Sequence, residues 1–141
     1  MAKKNDRKNQ GRFAGIPLKV MDHPDYVGLG FSSRALLLEI ARQYNRTNNG
    51  KLCATFSQME PRGWKSEQTL SKCLKELLAA NLITCTKRGT YGNGKREPNF
   101  YAINWQPIDD IPGFTMDVKS TVLPVRKFSI ELREVRNSKA A

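Results

Sequence analysis

Acidic residues are scarce in this sequence: 13 Asp and Glu stand against 24 Lys and Arg, a formal net charge of +11. Such an imbalance makes a polyanion the first partner to consider. Histidine occurs once, at His23, and the three cysteines, Cys53, Cys73 and Cys85, form no Cys-x-x-Cys pair. Neither a Cys/His zinc site nor a disulfide framework has enough parts, so reduced, buried thiols are expected, with no metal and no cofactor. No apolar run approaches the roughly 18 residues that span a bilayer, and Met1-Ala2-Lys3-Lys4-Asn5 lacks the apolar segment of a signal peptide. The expectation is a soluble, cytoplasmic protein with no membrane partner. A phosphate-binding glycine loop with its lysine and a Ser/His/Asp set are both missing, so no enzyme is expected.

What the 141 residues do contain is 39% hydrophobic side chains, enough to exclude a chain that is disordered throughout. The charge is unevenly spread. Residues 1–12 carry five bases (Lys3, Lys4, Arg7, Lys8, Arg12) against Asp6, a local +4. A tail this polar is expected to be flexible and to touch phosphates. Residues 13–105 carry 13 bases and seven acids, and residues 106–141 carry six and five. The division expected is therefore a basic tail (1–12), a folded domain (13–105) and an extended C-terminal arm (106–141), in which Pro107, Pro112 and Pro124 oppose regular structure.

Leu37, Ile40, Ala41 and Tyr44, widened by Leu36, recur at helical spacing and predict a helix over 33–45 capped by Ser32 or Ser33. The turn formers of 45–50 end it, and 51–54 is a short strand candidate. Thr55 and Gln58 fit a capping box, while Pro61 and Gly63 stop the helix they start within about two turns. Ser66 then caps a helix with Leu70, Cys73, Leu74, Leu77 and Leu78 on one stripe and Gln68, Ser71, Lys72 and Lys75 opposite. Residues 82–87 and 99–105 alternate as two strands of a hairpin. The tip between them, with Gly89, Gly92 and Gly94, is expected to be basic and adjustable. Trp64 and Trp105 read as core, His23 as part of a polar turn, and Asp22 and Asp25 as a cap pair for a short helix over 24–29.

This order of elements, an α+β arrangement, resembles the winged helix-turn-helix domain. Ala35-Leu36-Leu37-Leu38, Gly63-Trp64-Lys65-Ser66-Glu67-Gln68-Thr69-Leu70, Leu77-Leu78-Ala79-Ala80-Asn81-Leu82-Ile83 and Asn99-Phe100-Tyr101-Ala102-Ile103-Asn104-Trp105 carry the likeness. Residues 36–105, about half of the chain, are similar to winged-helix proteins of phages, plasmids and integrative elements, some of them regulators and some replication-initiation proteins. The resemblance implies a recognition helix over 66–80 in the major groove of double-stranded DNA and a wing on the neighbouring groove or backbone. On residue chemistry, Gln68 suits adenine and Lys72 guanine, and the hydroxyls of Ser66, Thr69 and Ser71 suit phosphate or base edges. Lys65, Lys75, Lys87, Arg88, Tyr91, Lys95 and Arg96 complete the expected contact set.

A second class of function stays open: an adaptor or phage-encoded inhibitor, such as an anti-defence protein, that turns the scaffold towards a host protein or nucleoprotein complex. The arm is where the two classes differ. Phe114, Met116 and Val118 alternate, as do Phe128, Ile130 and Leu132, so two half-buried strands are expected. Two strands alone would be marginal, and a second copy or a protein partner is expected to cover them, with a strap on the chain's own domain as the alternative.

Overall fold

A computed structural model describes residues 10–92 and 94–140. Its element order is α1 (Leu18–Met21), α2 (Pro24–Val27), α3 (Phe31–Arg42), α4 (Phe56–Met59), a 3-10 turn (Glu60–Arg62), α5 (Glu67–Ala79), β1 (Ile83–Lys87), β2 (Tyr91–Gly92), β3 (Lys95–Arg96), β4 (Phe100–Ile103) and α6 (Phe128–Ala140). The fold is α+β. Leu36, Leu37 and Ile40 of α3 meet Leu70, Cys73 and Leu77 of α5, and Leu52, Ile83 and Ile103 close the core from the sheet side. Trp105 is buried and Trp64 packs against the same core, as expected of both.

Strands β1 and β4 are antiparallel, pairing Ile83 with Ile103 and Cys85 with Tyr101 before a bulge at Thr86. The bulge frees Thr86 to turn its hydroxyl inwards, where it donates to the Gly50 carbonyl. The strand expected over 51–54 shrinks to one bridge, Leu52 with Tyr101. Side-chain amides do the work of the missing ladder. Gln43 Nε2 donates to Cys53 O at 2.7 Å while its Oε1 accepts from Cys53 N–H at 2.9 Å. Asn49, fully buried, treats Ile103 likewise: Oδ1 accepts from Ile103 N–H at 2.8 Å, and Nδ2 donates to the carbonyls of Ile103, Gln106 and Pro107. Buried backbone groups that would otherwise lack partners are thus satisfied from both edges.

Two local expectations change. Helix α3 begins at Phe31 with Gly30 as N-cap, two residues before the expected start; neither Ser32 nor Ser33 caps it, and Glu76 of α5 accepts from the Gly30 N–H. The short second helix is capped by His23, whose Nδ1 accepts from Asp25 N–H at 3.1 Å, while Asp22 closes α1. His23 remains a turn residue, but Asp22 and Asp25 are not a cap pair.

The C-terminal segment overturns the strand reading. Residues 128–140 are helix α6. Phe128, Ile130 and Leu132 do alternate, yet Phe128, Leu132 and Val135 also stand at i, i+4 and i+7, and good helix formers fill the gaps. The longer period wins: Phe128 and Leu132 are buried and Ile130 points outwards. Phe114, Met116 and Val118 lie in irregular backbone and are half-buried. Phe114 stacks edge-on against Phe100 at 4.9 Å between centroids. Ile108 is buried, and Asp117 N–H donates to Thr86 O at 2.7 Å, so this stretch lies along the hairpin of its own chain. The arm is a strap in cis.

Arg126 fastens the strap. Its Nε donates to Glu131 Oε2, one terminal nitrogen to the carbonyls of Ala80 and Asn81, and the other to Asp25 Oδ2 and Glu131 Oε1, at 2.6 to 3.2 Å. All five N–H groups have acceptors. The guanidinium also lies 4.4 Å from the Phe128 ring centroid, and His23 Nε2 is 3.3 Å from Glu131 Oε1. The same Nε2 is 3.3 Å from a terminal nitrogen of Arg126.

Replacing Arg126 by Ala strands two carboxylates and two carbonyls, and because Asp25 and Glu131 keep partial solvent contact the expected loss is about 2–4 kcal/mol in urea unfolding. Arg126→Lys should recover little of it, since an ammonium cannot reach five acceptors in a fork. Arg126 hydrogen bonds hold the Glu131 carboxyl below its ordinary value of 4.5, and the Gly30 N–H does the same for Glu76. Stability from both carboxylates is therefore fully present above about pH 4.5 and lost as pH falls through their lowered values. Urea midpoints measured across that range should decline, and in Arg126→Ala more shallowly.

Candidate nucleic-acid interface

Helix α5 is held at three points. At its start Gly63, at φ +103°, ends the 3-10 turn in the left-handed region, and Ser66 Oγ accepts from Thr69 N–H at 3.2 Å. On its flank Glu76 reaches across to α3, where Oε1 accepts from Gly30 N–H at 2.8 Å and Oε2 from the Ser33 hydroxyl at 2.9 Å. That carboxylate sits at the N-terminus of α3, where the helix dipole favours negative charge. At the far end Arg126 takes the Ala80 and Asn81 carbonyls, and Asn81, at φ +56°, presents its carbonyl to Asn104 Nδ2 as well. A helix secured at both ends and once on its side is a rigid platform for whatever its outer face meets.

That outer face follows from the buried one. Leu70, Cys73 and Leu77 point inwards, so Gln68, Lys72 and Lys75, four and three residues apart, lie opposite and are exposed. None of the three is engaged in a hydrogen bond or ion pair among the described residues; Lys72 acts on Glu76 through its charge alone. Lys65, Ser66, Thr69 and Ser71 are exposed beside them. Ser66 has its acceptor in use as the cap, leaving its hydroxyl proton to donate. Leu78, expected in the core stripe, is partly exposed on the side away from α3.

The hairpin tip is more ordered than three glycines suggest. Strands β2 and β3 pair Tyr91 with Arg96 and Gly92 with Lys95, and Glu97 N–H donates to Thr90 O at 2.8 Å. At Gly89 an added Cβ would stand 2.0 Å from Glu97 O, so glycine there serves close backbone approach and not flexibility. Arg88 and Arg96 are exposed; of Tyr91 and Lys95 only the backbone is described. Lys87 differs from its neighbours. Its ammonium sits 5.1 Å from the Phe114 ring centroid, with Lys51 at 5.2 Å, so it is anchored at the hairpin base by a cation–π contact.

Between α4, α5 and the hairpin runs an open groove of about 1030 Å³. Glu60, Glu67 and Glu97 line it along with Arg96, Ser71, Leu74 and Tyr101. The groove thus carries three carboxylates against one guanidinium, whereas the outer stripe of α5 carries Lys72 and Lys75. The half-buried thiols of Cys53 and Cys85 have their pKa raised by burial, and Cys73 is buried; all three are free. Of the basic tail, Lys3, Lys4, Arg7 and Lys8 lie outside the described residues. Arg12 is exposed and donates to Tyr44 O at 3.1 Å, just past the end of α3, so one of its donors serves the fold.

Gln68, Lys72 and Lys75 were legible as a stripe, but the residues that aim the stripe were not. Glu76 looks like a solvated acid one turn from Lys72, and Arg126 like one more cation. The one available signal is that Glu76 falls between the inner and outer stripes, facing a helix start rich in Gly and Ser. Comparison with protein-family models, with curated proteins and with solved structures finds no match.

Glu76→Ala leaves the first turn of α3 without its acceptor and should cost about 1 kcal/mol, as loss of an N-cap does. Amide exchange at Gly30 should rise with it, and Glu76→Gln should restore part of both. An unchanged exchange rate at Gly30 would mean that water replaces the carboxylate without loss.

Proposed function

We propose that this chain is a winged helix-turn-helix DNA-binding protein, with α5 as the recognition helix in the major groove and the β1–β4 hairpin, extended by β2 and β3, as the wing. The observation that carries this reading is the outer stripe of α5: Gln68, Lys72 and Lys75 are exposed and unengaged on a helix whose ends and flank are all fixed. An α-helix fits the major groove, where Gln68 can address adenine N6 and N7 and Lys72 guanine O6 and N7. Exposed hydroxyls at Ser66, Thr69 and Ser71, with the backbone N–H groups at the start of α5, supply phosphate contacts that fix the register. Arg88 and Arg96 on the hairpin reach the backbone alongside, and the tail lysines and arginines add charge.

On this reading the acidic groove sets the docking pose. Glu60, Glu67 and Glu97 outnumber Arg96 among the charged groups of the groove between α5 and the hairpin, so phosphates are held at Ser71 and Arg96 and kept from the rest of it. Within this class the protein acts in the cytoplasm as a regulator or replication-initiation factor of a mobile element. An adaptor or inhibitor role is the rival, and binding to duplex DNA separates them.

Titrating labelled duplex at two salt concentrations tests the proposal. If about five phosphates are neutralised, log K should fall against log salt with a slope near −4.5. A flat response, or no binding at low salt, would count against nucleic acid. On a preferred site, Gln68→Ala or Lys72→Ala should cost about 1–3 kcal/mol and relax discrimination at one base pair. Arg96→Ala should weaken all sequences by similar factors. Equal losses on random DNA from the α5 variants would demote that helix to a phosphate binder.

A further inference from the structure

The outward face of α3 is apolar where a solvated helix would be polar. Its inner side carries Ser33, Leu36, Leu37, Ile40 and Ala41, all buried. On the opposite side Phe31, Ala35 and Leu38 recur at i, i+4 and i+7, the spacing of a helix–helix seam, and Arg42 closes the row at i+11. Phe31 is 82% exposed and Leu38 46%. The seam continues onto the short helices beside it: Met21, 39% exposed, lines a depression with Ala35 and Leu38, and Val27, 58% exposed, gives its carbonyl to Arg34, whose guanidinium lies over the Phe31 ring. A shallow depression of about 310 Å³ between Met21, Ala35 and Leu38 joins α1 to α3.

Phe31, Ala35, Leu38, Met21 and Val27 together expose on the order of 400–500 Å², within the range of the largest apolar patch on a monomer, where such patches are often functional. A polar rim around it supplies the rest of the roughly 800 Å² that each partner contributes to a standard interface. Its chemistry is that of a homodimer core, apolar and nearly free of usable charge. The one central cation, Arg34, is consumed within the chain: it donates to Val27 O at 2.7 Å and lies over the Tyr26 and Phe31 rings. Its buried Nε has no acceptor.

We propose that this face pairs with the same face of a second copy about a two-fold axis, α3 running antiparallel to its mate. A straight seam along a 12-residue helix is self-complementary under such an axis, with Ala35 near the crossing, where a small side chain allows close approach. Antiparallel packing also sets opposite dipole ends side by side. The pairing does not depend on DNA, and it involves neither the outer stripe of α5 nor the C-terminal strap.

Sedimentation equilibrium of the full chain without DNA, over micromolar concentrations, tests it. The expected result is twice the chain mass for the native protein and for Ile130→Ser, which changes an exposed apolar residue of α6 outside the patch. Leu38→Glu, and the milder Phe31→Ser, should each weaken association by about tenfold or more, as interface anchors do. Both side chains are exposed, so thermal unfolding of each variant, compared at a concentration where all are monomeric, should match the native chain. A native chain that is monomeric throughout would overturn the proposal, as would a dimer that survives both substitutions. A monomer in either variant accompanied by lost helical circular dichroism would count against it as well, because these residues would then belong to the fold.

Discussion

A single guanidinium determines how the two ends of this chain meet its middle. Arg126 is about 9% exposed at its side chain and sits where α5 ends, where α2 begins and where α6 starts. Burying an arginine costs several kcal/mol before any contact is counted, so the position is tolerable only because every N–H group is used. Burial works against the charge, yet the hydrogen bonds of Glu131 and Asp25 outweigh it and raise the pKa. Two of the acceptors are the carbonyls of Ala80, the C-cap of α5, and of Asn81 just beyond it; the first is among the groups that a helix C-terminus leaves unpaired. The strap therefore does for the end of α5 what Glu76 does for the start of α3: a charged side chain from a distant segment replaces a local cap.

That substitution of distant partners for local ones explains what the amino-acid pattern revealed. Helix α5 was legible because Ser66, the Leu70–Cys73–Leu77 stripe and the preceding Gly63 agree within 15 residues, and local preference and tertiary packing point the same way. The hairpin was legible for the same reason. The start of α3 was not, since the acceptor for its first turn lies 43 residues away from Ser33 on Glu76. The same holds for 51–54, where Gln43 stands in for a strand, and for Asn49, whose amide serves three separate carbonyls. Asparagine in a turn looks like turn chemistry. Nothing local says that its side chain is buried.

Residues 128–132 fail differently. Five residues fit period 2 as well as they fit period 3.6, and only the continuation to Val135 separates the two. Prolines upstream bias the reading towards extended structure, although Pro124 here marks an approach to a helix. Once α6 is a helix with Phe128 at its root, Phe128 and Leu132 are covered by the chain's own domain, while the apolar row on α3 stays open.

Glu76 connects that face to the outer stripe of α5. One carboxylate bonds the first turn of α3, and on its own helix it stands one turn from Lys72. If two copies pair through α3 and each reads DNA with α5, the separation and relative tilt of the two reading helices are set by α3–α5 packing inside each copy and by one helix crossing between them. No flexible linker enters that path. A dimer so built would hold its half-site spacing rigidly, since changing it requires repacking Leu36, Leu37 and Ile40 against Leu70, Cys73 and Leu77. Rearranging a packed core costs more than an insertion in a surface loop, so spacer length between half-sites becomes a property of the core and not of the wing.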